Sequence, residues 1–184
     1  MDFKKYNIFT PKDLFDFCCR NLRYGFKYRE KVFTETDNNF QQMMDKLYKI
    51  RLKDDFVNAG YGVCWDFCEF EREFFEYAGI EHECYFLEAY EKEEEGGPTH
   101  TFTLFKEGDK WSWFEFSWGM YAGIWQYSSK EEALVDIVEK FKNFNNANHK
   151  NTKLIKTSKV GKRLDVGEFI EHCYNGKKVD VRNL

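Results

Sequence analysis

The stretch Gly60–Gly79, GYGVCWDFCEFEREFFEYAG, decides how this chain reads. Gly60 and Gly62 flank Tyr61, and a backbone with two glycines in three residues can turn sharply and be approached closely. From Cys64 onward, Cys64, Phe67, Cys68, Phe74, Phe75 and Ala78 recur at helical spacing. Gly79 is a natural C-terminal cap. The stretch predicts a tight loop over 56–63, then a helix that opens on a cysteine. That position suits chemistry. Unpaired N–H groups at a helix start favour a thiolate, which is the nucleophilic form. The N–H of Cys64 is also available to an oxyanion hole.

On the N-terminal side, Thr10-Pro11-Lys12-Asp13 reads as a helix start with Thr10 as cap and Pro11 in the first position. Leu14, Phe15, Phe17, Cys18 and Leu22 give that helix an apolar face, and Gly25 ends it. Phe40, Met43, Met44, Leu47 and Ile50 predict a second helix within Asp37–Asp55. After Gly79 the texture changes to strands. Ile80–Tyr90 is rich in Tyr and Phe, and Glu91–Pro98 is a polar loop with breakers. Thr99–Phe105 and Trp111–Trp118 alternate around Gly108-Asp109, so 99–118 predicts a hairpin. Lys130–Phe144 returns to helix with Ser128 or Ser129 as cap, Asn143–Thr152 reads as a loop, and Val166–Tyr174 is a short helix. Helices first and an antiparallel sheet afterwards indicate an α+β fold.

The hairpin supplies partners for Cys64. His100 opens its first strand directly after Gly-Gly-Pro-Thr, and Glu115 lies on the second. With the turn near Gly108, paired residues have numbers summing to about 215 or 216, which sets His100 against 115 or 116. Glu115 can then orient the imidazole while its other nitrogen faces Cys64, the nucleophile–base–acid arrangement of covalent catalysis. Cys68, one turn after Cys64, reads as a buried helix-face cysteine. Tyr61, Trp65 and Trp118 flank these residues and are expected to bind substrate; Trp111, Trp113 and Trp125 suit core or groove wall.

The residues Gly62-Val63-Cys64-Trp65, His100-Thr101-Phe102 and Glu115-Phe116-Ser117-Trp118 resemble the transglutaminase-like superfamily of papain-fold cysteine enzymes. Tyr77-Ala78-Gly79-Ile80 and Tyr24-Gly25 also have counterparts there, and the resemblance spans roughly residues 10–125. Two departures stand out: Glu115-Phe116 replaces Asp followed by Pro, and His-Thr-Phe replaces His-Ala-Trp. The resemblance implies amide hydrolysis or acyl transfer on a peptide or protein substrate through Cys64, His100 and Glu115. A catalytically inactive relative that binds peptides is the alternative, kept open by the Glu in place of Asp. Residues 1–145 are expected to form the catalytic domain, and 146–184 an extension packed on it.

Composition bounds the rest. The 184 residues carry 20% aromatics, 33% charged residues and only two Pro, which suits an aromatic-rich globular core. The net charge of −4 offers no electrostatic footprint for nucleic acid. The basic run Lys150, Lys153, Lys156, Lys159, Lys162, Arg163 reads as a solvated face. The acidic run Glu91–Glu95 reads as a solvated loop that could draw a basic substrate. No apolar run reaches membrane-span length, and Met1–Lys5 lacks signal-peptide character, so a cytoplasmic protein is expected. Cys18, Cys19, Cys64, Cys68, Cys84 and Cys173 form no disulfide framework, and with His82 and His100 they lack zinc-ligand spacing. No metal or cofactor is expected, and the oligomeric state stays open.

Overall fold

In the computed structural model, which describes residues 2–92, 96–145 and 151–180, Thr10 caps the first helix as its sequence predicts. Its hydroxyl accepts from the Asp13 N–H at 3.1 Å, and Asp13 accepts in return from the Thr10 N–H at 2.9 Å. A 3-10 turn, Phe3–Tyr6, precedes α1 (Pro11–Asn21) and the short strands β1 (Arg23–Tyr24), β2 (Phe26–Tyr28) and β3 (Lys31–Phe33). Then come α2 (Phe40–Leu47), α3 (Asp54–Ala59), β4 (Tyr61–Gly62) and α4 (Cys64–Ala78). The remaining elements are β5 (His82–Tyr90), β6 (Thr99–Glu107), β7 (Lys110–Glu115), β8 (Gly123–Tyr127), α5 (Lys130–Asn145), β9 (Asn151–Thr157), α6 (Val166–Tyr174) and β10 (Lys177–Val179).

The fold is α+β. A six-stranded antiparallel sheet runs in the order β10-β9-β5-β6-β7-β8. Alternation along the strands divides two faces. Phe105 and Phe114 pack with Phe67 and Phe74 of α4, and Phe86 and Ile155 with Trp65 and Phe169. On the other face Leu87, Phe102, Leu104 and Trp113 pack under Leu134, Ile137 and Phe141 of α5. Every residue of α4 from Cys64 to Phe75 is buried. Two of its charged residues pair inside the core: Arg72 donates to Glu69 at 3.0 Å and to the Thr157 carbonyl and hydroxyl at 3.2 and 3.0 Å. Glu69 also accepts from the Val160 N–H at 3.1 Å. These bonds tie the chain after residue 150 to the central helix.

Three sequence expectations change. The helix expected within Asp37–Asp55 is two, α2 and α3, because residues 48–53 leave helical geometry. Tyr48 is extended and buried, and the Ile50 N–H donates to Leu164 at 2.9 Å instead of to its own helix. The loop expected over 56–63 holds the end of α3, a left-handed Gly60 cap at φ +70° and β4. Asn151 and Thr152, read as loop, begin β9, which pairs with β5 from Asn151 to Thr157. Four of the basic side chains read as a solvated face form ion pairs: Lys153 with Glu88, Lys156 with Glu83, Lys159 with Glu76 and Lys162 with Glu168. Lys150 and Glu93–Glu95 lie outside the described residues. Among the described residues no helix is long and apolar enough to cross a membrane.

Candidate active site

The site begins where β4 meets α4. β1 pairs in parallel with β4, setting Tyr24 beside Gly62, and the Gly25 N–H donates to the Gly62 carbonyl at 3.0 Å. Gly62 is needed for close approach: an added Cβ would stand 2.4 Å from Phe56 Cε2 and 2.8 Å from Asp66 Cβ. Asp66, in the first turn of α4, is fully buried. Its carboxylate accepts from the Val63 N–H at 2.8 Å, the Arg51 N–H at 2.6 Å and the Tyr48 hydroxyl at 2.8 Å. Burial nevertheless pushes its pKa up to about 6, against those three hydrogen bonds. Asp66 thus locks the backbone from which the Cys64 side chain projects. Cys64 itself is 6% exposed.

His100 is the second residue of β6 and Glu115 the last of β7, so both sit at the open end of the hairpin. The hairpin closes through a two-residue turn, Gly108-Asp109, between the paired Glu107 and Lys110, with Gly108 at φ +60°. Its pairs sum to 217, as in Thr103 with Phe114, not to 215 or 216. Continuing that register sets Glu115 opposite Phe102, two residues along the same face from His100. The two side chains are diagonal neighbours, a spacing long side chains can bridge. His100 Nε2 and Glu115 Oε2 are 2.7 Å apart. The other Glu115 oxygen accepts from the Trp118 N–H at 2.8 Å and the Ser117 hydroxyl at 3.0 Å, so the carboxylate is held from both sides.

The imidazole is 7% exposed, with the Trp118 ring edge-on at 5.3 Å and Phe141 at 6.5 Å. Cys64, at the start of α4, lies near enough to the ring to help raise its pKa. With Nε2 engaged by Glu115, Nδ1 is the nitrogen left for the thiol. Burial works against a charged ring here, but the hydrogen-bonded Glu115 carboxylate and the neighbouring Cys64 outweigh it and hold the His100 pKa at about 10. The ring is therefore an imidazolium at neutral pH.

Two cavities meet at Tyr24, Pro98 and Thr99. The larger, about 570 Å³, is lined by Cys64 and Trp65; the smaller, about 220 Å³, by His100, Trp118 and Glu35. The fold brings Cys64, His100 and Glu115 together. Trp65 and Trp118 each line a cavity, whereas Tyr61 lines neither. Asp66 went unread in the sequence as a supporting residue. An acid in the first turn of a helix is a faint signal when the capping position holds valine. Tyr24 was noted only through resemblance, yet it lines both cavities. Burial and the nearby Cys64 and Glu35 raise its pKa well above the ordinary value, so it remains a neutral phenol. Among the described residues no group of three His, Cys, Asp or Glu side chains is placed to hold a metal ion.

A thiol beside an imidazolium that an anchored carboxylate holds is a set of groups suited to nucleophilic attack on a carbonyl. Comparisons with protein-family models, with curated proteins and with solved structures found no match.

Proposed function

We propose that this chain is a cysteine-dependent amide hydrolase or acyltransferase of papain-like, transglutaminase-type architecture, acting on a peptide or protein. The observation that carries the reading is the Glu115–His100 hydrogen bond with Cys64 beside that ring, at the wall of an open cavity. The Cys64 thiolate attacks the substrate carbonyl carbon, a C–S bond forms, and the carbonyl π electrons move to oxygen. The Cys64 N–H, at the unpaired start of α4, donates to that oxygen. Collapse breaks the C–N bond while the imidazolium of His100 passes its proton to the leaving amine. Water or a second amine then attacks the thioester. His100 takes the proton, the C–S bond breaks, and the thiolate–imidazolium pair is restored. Glu115 keeps the ring oriented throughout.

The test is alkylation by iodoacetamide at neutral pH, followed residue by residue. Cys19 is the fitting comparator, since it is exposed while Cys18 and Cys173 are buried. Cys64 is expected to react first despite its burial, and Cys64→Ser to lose amide turnover. Alkylation of Cys64 no faster than of Cys19 would favour a peptide-binding module in place of the enzyme.

A further inference from the structure

The two cavities differ in what they offer a substrate. In the tetrahedral adduct described above, the acyl carbon is bonded to Cys64 sulfur and the departing nitrogen must face the His100 proton. The acyl portion therefore falls on the Cys64 side and the leaving group on the His100 side. The Cys64 side is the larger cavity, built from Phe40 and Met44 of α2, Val63 and Trp65 at the start of α4, and Val166 and Ile170 of α6. The Trp65 ring is fixed by stacking on Phe169 at 4.2 Å and by the Tyr48 ring at 5.7 Å. That wall is rigid and apolar. Among the described lining residues the one charged side chain is Asp45, held at 2.8 Å by the Gln41 amide. Among the described residues no lysine or arginine lines the cavity to balance a carboxylate.

We propose that the cavity between α2 and α6 is the acyl-side subsite and that it selects acyl groups with a bulky apolar side chain, aromatic or branched aliphatic, over small or acidic ones. This rests on Cys64 being the nucleophile. A volume of about 570 Å³ lies in the range of sites that enclose small ligands and holds one such side chain with its flanking backbone. Apolar contacts in a pocket of this kind separate substrates by about tenfold or more per missing group. The C-terminal helix α6 thereby becomes part of the specificity machinery, although the sequence places it outside the segment carrying the catalytic residues.

The experiment uses three chloromethyl ketones of N-acetylated amino acids, phenylalanine, glycine and aspartate, on the full-length chain. In each the thiolate forms a C–S bond to the methylene and chloride leaves, so only the acyl portion varies. Mass spectrometry follows Cys64 and Cys19 separately. The phenylalanine reagent is expected to alkylate Cys64 at least about tenfold faster than the glycine reagent, with the aspartate reagent slowest. That ratio should fall toward one in both Ile170→Trp and Met44→Trp, with a thermal melt to check that each folds. Selective alkylation of Cys64 at one common rate by all three reagents overturns the subsite while leaving the nucleophile standing. Alkylation of Cys64 no faster than Cys19 by any of them overturns both.

Discussion

Cys64 and Cys68 lie one helical turn apart on α4 and are almost equally hidden, at 6% and 3% exposure. Their surroundings separate them. Cys64 meets an imidazolium and an open cavity. Cys68 meets the Phe102 carbonyl at 3.7 Å and the Thr103 hydroxyl at 3.6 Å, inside the core. The hydrogen bond with Cys84, and then burial, raise its pKa well above the ordinary thiol range. Burial alone therefore does not mark a structural cysteine. What decides is whether the neighbours stabilise the charged form and whether substrate can arrive.

The largest effect expected from this contrast is at Cys64. Cys64→Ala should lower amide turnover by about a thousandfold or more, since the covalent path is lost. Its stability should fall only modestly, by about 1–2 kcal/mol, as expected when one small buried side chain is removed. Steady-state hydrolysis paired with a melt would measure both, and substantial turnover in the variant would break the contrast at its root.

The second effect concerns the carboxylate behind the imidazole. The folded pKa of His100, about 10, lies above the ordinary value of 6.5. Its contribution to stability is therefore fully present below about pH 6.5 and is lost as pH rises through about 10. The same ionisation removes the proton that the proposed mechanism passes from His100 to the leaving amine, so turnover should persist well above neutral pH and fall near pH 10. In Glu115→Gln the largest charge favouring the imidazolium is gone. The alkaline limb should move down by about one to three pH units. A pH–rate profile of both proteins reads this directly, and coincident alkaline limbs would show that Glu115 does not set the charge of the ring.

How much of this was legible in the sequence follows the same division. α1, α4 and α5 announced themselves through caps and apolar periodicity, and Gly108-Asp109 announced the hairpin. The register was misjudged by one or two places, yet Glu115 stays on the face of His100. Pair sums of 215 and 217 share a parity, and the pleat repeats every two residues. β9 was hidden for a physical reason. Leu154 and Ile155 point to opposite faces of an interior strand, and Lys153 and Lys156 are neutralised by acids on β5, so the segment never alternates. Residues 48–53 were misread because their hydrogen bonds go to Leu164 and Asp66, partners far away in sequence. Local pattern carried the candidate nucleophile, but its support by Asp66 and the walls of its cavity are tertiary facts.

The third effect tests that support. The Asp66 carboxyl, with a folded pKa of about 6 against an ordinary 3.8, binds its proton more tightly in the folded chain. Its contribution to stability is fully present below about pH 4 and is lost as pH rises through about 6. At about 1.4 kcal/mol per pH unit this amounts to roughly 3 kcal/mol. Asp66→Asn should flatten that part of the profile. Urea unfolding at several pH values between 4 and 7 compares the slopes, and equal slopes would place the strained carboxyl elsewhere, with Glu71, whose pKa burial also raises, the next to test.

The smallest effect returns to the second thiol. Cys68→Ala removes a sulfur that touches only core groups, and Thr103 keeps the Cys84 sulfur at 3.5 Å as a partner. A loss of about 1–2 kcal/mol in stability is expected, typical of a small cavity with one weak polar contact removed. Turnover should stay within about twofold, because no atom of Cys68 enters either cavity. Chemical denaturation and the amide assay separate the two readouts. If turnover fell as steeply as in Cys64→Ala while the fold survived, position on the helix would not divide the thiols by role. The reactive centre would then have to extend a full turn into the core, where neither cavity gives a substrate access.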